Sequence, residues 1–305
     1  MEGVPFFIVG SARSGTTLLR LMLNAHPEVA VPPESRFIAE LWTGRDEVKV
    51  DELLAKIGGS KRFRAWDLPI AAVKQELDDK TFAPYTEVIE AAYHAYGRVR
   101  GKRRWGDKTP RYVRHIPLLA ALWPAARFIH LIRDGRDVAL SYADVPFGPK
   151  NVATAAKLWS ARVQAGLRDG RALGGKHYLE INYEDLVEDA EGETRDLCDF
   201  LELDFDPGML EYTEGAGGAV LSRAAMYNPH VTQPPKPKLR SWEESMPDDQ
   251  VEIFEAVAGD VLSELGYGRR FPAPSAVARA KAFLGSKGLP VGRLRTSGGR
   301  VRIES

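Results

Sequence analysis

The sequence predicts an α/β fold, a central parallel sheet flanked by helices with a helical insertion on one side, and three observations lead there. Apolar runs at Phe6–Val9, Ala126–Ile132 and His177–Tyr183 have the composition of parallel strands covered on both faces. Each run is followed by a stretch with the period of an amphipathic helix. Between the first run and its helix lies GSARSGTT, Gly10 to Thr17, a loop with two glycines five apart.

Taken in order, Phe6–Val9 is a short buried strand, and Leu18, Leu19, Leu21, Met22 and Leu23 mark one face of the first helix. A turn at Ala25 leads into a short strand that stops at Pro32 and Pro33, which stiffen the exit and hold Glu34 at a strand end. In an open α/β sheet, ligands sit at that edge. Residues 36–104 read as a mainly helical insertion, anchored by Trp42, Leu53, Leu54, Trp66, Leu68, Leu77, Phe82 and Tyr93, and broken at Gly58 and Gly59. The α/β rhythm resumes with a helix over Tyr112–Trp123 and the strand Ala126–Ile132. A helix then starts at Asp134 as N-cap. A long helix over Val152–Ala172, the strand His177–Tyr183 and a helix over Asp185–Leu203 follow. Residues 215–238 are rich in Gly, Pro, Ser and Asn and read as a functional loop, and a last helix spans Pro247–Leu265.

The chain has 305 residues, formally neutral, with 44% hydrophobic and 28% charged residues, which is ordinary globular material. A neutral total gives no sign of nucleic acid as a partner. Charge is uneven, however: seven Lys or Arg and one Glu lie from Pro272 onward. We therefore expect one domain over 1–271 and a basic tail over 272–305, solvated or in weak contact with a membrane surface. The single cysteine, Cys198, lies on an apolar helix face and reads as a buried structural thiol. No signal-peptide pattern and no apolar stretch of roughly 18 residues is evident, so a soluble, cytoplasmic protein is expected.

The strand, loop and helix around Gly10–Thr17 leave backbone N–H groups converging where the helix dipole also favours an anion. The glycine spacing is that of the P-loop, and the fold expected around it is P-loop NTPase-like. The lysine that should follow Gly15 is replaced by Thr16, and the only cation in the loop is Arg13. ATP chemistry needs that lysine and a carboxylate for Mg²⁺, whereas the strand ending at Ile132 is followed by Arg133.

On these residues the chain resembles the sulfotransferases that use 3′-phosphoadenylyl sulfate (PAPS). Gly10–Leu19 resembles their 5′-phosphosulfate loop, and RDGRDVALS, Arg133 to Ser141, resembles their 3′-phosphate motif. The resemblance covers roughly residues 4–267, loosely over the insertion, and implies that PAPS is the donor, adenosine 3′,5′-bisphosphate (PAP) the product, and no metal is needed. It assigns Arg13, Ser14, Gly15, Thr16 and Thr17 to the 5′ side, Arg133 and Ser141 to the 3′-phosphate, and Tyr183 of the YED segment to the adenine. A late loop before Trp242 is implied to close on the 3′-phosphate, through Lys236, Lys238 or Arg240. Arg13 takes the place of the cation on the leaving oxygen, and Lys108 resembles a second cation near the sulfuryl group. Cytosolic members carry a histidine base after that lysine, but here Thr109 follows. Tyrosyl-protein and bacterial carbohydrate branches use a glutamate after the second strand, and Glu34 stands there. His26, beside Pro27, reads as structural.

The expected function is therefore sulfuryl transfer from PAPS to a hydroxyl on a small molecule, carbohydrate, tyrosine or glycolipid, with Glu34 as general base. A small-molecule P-loop kinase using ATP and Mg²⁺ is the alternative, and a non-catalytic nucleotide- or sulfate-binding module is a third reading.

Overall fold

The computed structural model describes residues 4–215 and 241–289, together with Val291 and Leu294. Seven strands are assigned among them: β1 Phe6–Gly10, β2 Val29–Ala30, β3 Glu47–Lys49, β4 Phe82–Pro84, β5 Arg104–Lys108, β6 Arg127–Ile132 and β7 Tyr178–Asn182. Five of them form one parallel sheet in the order β2-β5-β1-β6-β7, and β3 and β4 form a separate antiparallel pair. β1 is central and fully buried, with Ile8 in register with both Lys108 and Ile129. The chain fills one side of β1 before crossing to the other, so β1 lies at the switch point where α/β sheets open a crevice.

The expected sheet holds, with one added strand. β5 was not foreseen, because Arg104–Lys108 reads RWGDK and lacks the aliphatic run of its neighbours. Its apolar content is aromatic: Trp105 stacks on Tyr93 at 4.3 Å between ring centroids and meets Phe7 edge-on at 6.0 Å. Gly106 is what lets β5 approach β1, since an added Cβ would come within 2.2 Å of the Phe6 ring.

The insertion contains helices Val50–Gly59 and Tyr85–Arg98 and several short helical turns, and the β3–β4 ribbon closes its neck. It shares a core with the sheet: Phe37, Trp66, Tyr85, Tyr93 and Tyr96 are buried in one cluster with Phe7, Trp105 and Phe128. The helix expected over Tyr112–Trp123 is a 3₁₀ turn, Pro110–Arg114, followed by Ile116–Leu122. The helix expected over Asp185–Leu203 is split into Tyr183–Glu188 and Ala190–Leu201, the second capped by Asp189 accepting from the Gly192 N–H. Helices Gly135–Ala143, Val152–Arg171 and Asp248–Glu264 form a second buried cluster around Trp159 and Phe254.

The stretch after Pro272 differs from a solvated tail, because Ala276–Ser286 is a helix docked on Val152–Arg171 and Asp248–Glu264. Cys198 is buried beside Met209 in a third cluster, and burial pushes its thiol up to about 11. His26 is buried as well, its Nε2 bonded to the Asp204 carbonyl and its Nδ1 accepting from the Glu28 N–H, so its role is to hold a turn. No helix of the described residues is long and apolar enough to cross a membrane.

Candidate active site

All five strands of the parallel sheet end at one edge, and each carries a segment singled out above. β1 leads into the Gly10–Thr17 loop, β2 into Glu34, β5 ends on Lys108, β6 leads to Arg133 and β7 to Tyr183. Residues scattered over 170 positions of sequence are thereby gathered along one crevice.

The loop is built by close approach. Gly10 has φ +153°, and a Cβ there would meet the Leu131 carbonyl at 2.5 Å. Gly15 has φ +92°, and its Cβ would lie 2.3 Å from Tyr183 Cδ2, so the tyrosine ring rests directly on the loop. Arg13 adopts φ +77°, a left-handed conformation costing a non-glycine residue about 1–2 kcal/mol. The helix Thr16–Ala25 starts with no side-chain cap, leaving its first N–H groups facing the loop. Ser14 Oγ is buried there with no hydrogen-bond partner. A buried hydroxyl left without a bond costs about 1–3 kcal/mol unless a ligand supplies one. Uncapped N–H groups and an unpaired hydroxyl in one cradle suit an anion.

Across β1, Arg133 leaves the sheet with its guanidinium carbon 4.4 Å from the centre of the Tyr183 ring. Its Nη2 is 3.8 Å from Asp137 Oδ2, and its Nε is buried without a partner. Asp134 caps the helix Gly135–Ala143 by accepting from the Arg136 N–H at 2.8 Å, as its position predicts. Ser141, two turns along, accepts from Arg13 Nε at 2.8 Å. The structure therefore links Arg13 to Ser141 and Arg133 to Tyr183, whose ring rests on the loop that carries Arg13. Burial raises Asp137 to about 7, although Arg133 pulls the other way. Asp137 Oδ1 also accepts from the Trp242 N–H at 2.8 Å, which fastens the chain where it re-emerges from residues 216–240. Lys236, Lys238 and Arg240 lie outside the described residues.

On the β2–β5 side, Glu34 Oε1 accepts from Lys108 Nζ at 3.1 Å. Its Oε2 faces Arg36 Nη2 at 3.3 Å and Arg62 Nη1 at 3.8 Å. Burial would raise the Glu34 carboxyl, but Lys108, Arg36 and Arg62 outweigh it and hold the pKa below the usual value. Burial lowers Lys108, with Glu34 opposing. Beneath this pair, Ser35 N–H donates to Thr109 Oγ1 at 3.2 Å, and the Ser35 and Tyr112 hydroxyls share a bond of 3.0 Å. Tyr93 donates to the buried Asp107 at 2.6 Å. These bonds lock the Pro32–Arg36 turn onto the end of β5, so Thr109, the departure from the histidine pattern, serves as a support for the Glu34 turn.

Three contributors were missed in the sequence. Arg20 is 4% exposed on the first helix, its Nη1 donating to the Val31 carbonyl; burial lowers its pKa while Glu34 raises it. An arginine among leucines at an otherwise apolar helix position was the available signal. Arg62 comes from the insertion, and Glu184 accepts from both the Asp134 N–H and the Tyr267 hydroxyl. Arg62 carried no sequence signal beyond its type, whereas Glu184 lies in the YED segment beside Tyr183.

A family model described as Sulfotransferase family matches residues 5–207. Protein-tyrosine sulfotransferase A of Caenorhabditis elegans is 28% identical over 279 residues, covering 86% of this chain and 67% of the relative. Nodulation protein NoeE of Sinorhizobium fredii is 26% identical over 285 residues, covering 86% and 65%. Among solved structures, the sulfotransferase domain from the curacin biosynthetic pathway shares the fold with TM-score 0.57 at 22% identity, covering 88% of this chain and 99% of that one. The family match takes in the loop, Glu34, Lys108, Arg133, Ser141 and Tyr183, every strand that reaches the crevice. The chain belongs to the sulfotransferase family, the enzyme family its motifs resemble.

Proposed function

We propose that this enzyme transfers the sulfuryl group of PAPS to an acceptor hydroxyl, with Glu34 as the general base. The observation that carries this reading is the position of Glu34 and Lys108, joined at 3.1 Å on adjacent strand ends beside an anion cradle with an unpaired Ser14 hydroxyl. Ser14, Gly15, Thr16 and Thr17 would hold the 5′ side, Arg133 and Ser141 the 3′-phosphate, and the Tyr183 face the base. Two unsatisfied buried groups, Ser14 Oγ and Arg133 Nε, are the bonds such a donor would complete. PAPS, when bound, supplies the activated sulfuryl group and a phosphate leaving group.

The chain's own residues divide the remaining work. Glu34, kept ionised by its cations, accepts the proton of the acceptor hydroxyl. Lys108 and Arg13 bring positive charge to the side of the cradle where negative charge grows, a stabilisation that is largest where water is excluded. Because Lys108 is buried and already holds its proton less tightly than a free lysine, it can also pass a proton toward the departing oxygen. Arg13 cannot do this, since a guanidinium stays charged. Relatives named for protein-tyrosine sulfation favour a phenolic hydroxyl as the first acceptor to assay, with carbohydrate, glycolipid and small alcohols next.

Calorimetry with PAP against ATP and Mg²⁺, in wild type and Arg133→Ala, tests the donor. PAP should bind tightly and lose about tenfold or more with Arg133→Ala. Preference for ATP and Mg²⁺ with a neutral Arg133→Ala would favour a kinase instead. Transfer from labelled PAPS to a tyrosine peptide, lost in Glu34→Gln while PAP binding persists, tests the base; unchanged transfer would remove Glu34 from the role.

A further inference from the structure

The helix Ala276–Ser286 is docked the wrong way round for a water-soluble surface. Its small residues Ala278, Ala282 and Gly285, at spacing i, i+4, i+7, face the core, and an added Cβ on Gly285 would come 2.7 Å from Ala153 Cβ. Its large apolar residues face outward: Val277 is 64%, Phe283 63% and Leu284 43% exposed, with Leu289 just beyond at 50%. These are four of the seven exposed large hydrophobics among the described residues, gathered within thirteen positions. At about 100° per residue, Val277, Ala280, Leu284 and Phe283 share one arc, and Arg279 and Lys281 fall on its two borders. Lys287 lies at its end with Nζ 5.8 Å from the Phe283 ring centre.

We propose that this face docks on an anionic lipid bilayer. An apolar strip edged by basic side chains is the pattern of a helix lying in the membrane interface, with its rings among the acyl chains and its lysines reaching the headgroups. Charge selects this occupant. No Asp or Glu lies between Glu264 and Glu304, while Arg279, Lys281 and Lys287 line the strip and four more arginines follow in the sequence. A second copy meeting this face through a two-fold axis would set those cations against themselves. Acidic headgroups complement them.

Flotation of the full chain with vesicles tests the proposal. The protein should float with phosphatidylcholine vesicles containing phosphatidylglycerol, remain behind with phosphatidylcholine alone, and detach as salt is raised. Phe283→Glu with Leu284→Glu should lower the bound fraction by about tenfold or more, and Arg279→Glu with Lys281→Glu by a similar factor. Because all four side chains are exposed, melting and transfer to a soluble acceptor should match wild type, which separates lost docking from misfolding. Wild type that ignores anionic vesicles, or a double-glutamate variant that floats as wild type does, would overturn it. So would a dimer that Phe283→Glu with Leu284→Glu dissolves while no form binds vesicles, which would assign the face to a second copy.

Discussion

Two clusters of buried charge flank the parallel sheet, made of the same residue types and built to opposite purposes. On the β6 side, Arg136, 1% exposed, gives Nε and Nη2 to Asp134 at 3.0 and 2.7 Å and Nη1 to Glu255 at 2.6 Å. Glu255 also accepts from the Arg270 and Phe271 N–H groups, and the Arg136 guanidinium lies 3.6 Å from the centre of the Trp242 ring. Each guanidinium nitrogen has a partner, and no side is left for a ligand. On the β2–β5 side, one carboxylate, Glu34, faces Lys108, Arg36 and Arg62, with buried Arg20 close enough to feel it. Arg36 Nε is buried without a partner, and the Glu34 and Arg62 side chains are 23% and 42% exposed. The first cluster sets one guanidinium against two carboxylates whose remaining capacity is taken by backbone N–H groups, and it is closed. The second sets several cations against one carboxylate and is open to solvent, which suits an anion. Completed hydrogen bonding and access, more than burial, separate a structural ion network from a reacting one.

Exchanging charge for shape in each cluster should give opposite results. Glu34→Gln should lower kcat by about 10²–10⁴-fold, the usual worth of a positioned base, measured as transfer from PAPS. Stability should change modestly, because Lys108, already depressed by burial, can release its proton when its partner becomes neutral. Arg136→Ala should instead cost about 3–5 kcal/mol of stability by leaving Asp134 and Glu255 buried and unpaired, read as a lower urea midpoint. If Arg136→Ala proves near neutral and Glu34→Gln unfolds the chain, the division between the clusters is wrong. The pH profile sharpens the same contrast. Since the folded-state pKa of Glu34 lies below its ordinary value, the acid limb of kcat/KM should fall beneath the normal glutamate range near ~4.3, with the base ionised throughout neutral pH. The stability Glu34 lends is present above that range and lost as pH drops through its folded pKa.

The donor side of the site was legible in the sequence because strand-end motifs are local. A strand, a glycine loop and a helix occupy adjacent residues, and Arg133 and Ser141 share one helix start. The sheet was legible for the same reason wherever its strands were aliphatic runs. β5 escaped because Trp105 and Gly106 make it a strand only in company with Tyr93, Phe7 and Phe6. The cations around Glu34 escaped because Arg62 and Arg20 arrive from separate elements, and nothing short of the folded chain brings them to one carboxylate. The outward face of Ala276–Ser286 was hidden by composition, since counting its charges gave a basic tail and left its apolar arc unread.

Smaller effects probe the donor side, where the loop and the Tyr183 ring meet. Gly15→Ala must both hold φ +92° and place a Cβ 2.3 Å from Tyr183 Cδ2, so it should weaken PAP binding by about 2 kcal/mol through strain and ring displacement. Adding Gly15→Ala to Tyr183→Leu should cost less PAP affinity than adding it to wild type if the clash dominates, and as much if the left-handed conformation does. Calorimetry on wild type, the two single variants and the double variant decides.

The finest test concerns Asp137, which sits between Arg133 and the Trp242 N–H. Burial raises its pKa to about 7, above the unfolded value, so the stability it contributes is full below the unfolded pKa and is lost as pH rises through about 7. The same ionisation bears on binding. Below about 7 the neutral acid leaves Arg133 available to a phosphate; above it, the carboxylate competes for that arginine and repels the dianion. PAP affinity should then fall by up to about tenfold for each pH unit above 7, a range in which the phosphate's own second ionisation, near pKa ~6, is complete. Asp137→Asn keeps an oxygen for the Trp242 N–H while removing the charge, so its affinity should be flat over the same interval. An unaltered slope in Asp137→Asn would move the titration to another group and leave Arg133 free of any competitor within the fold.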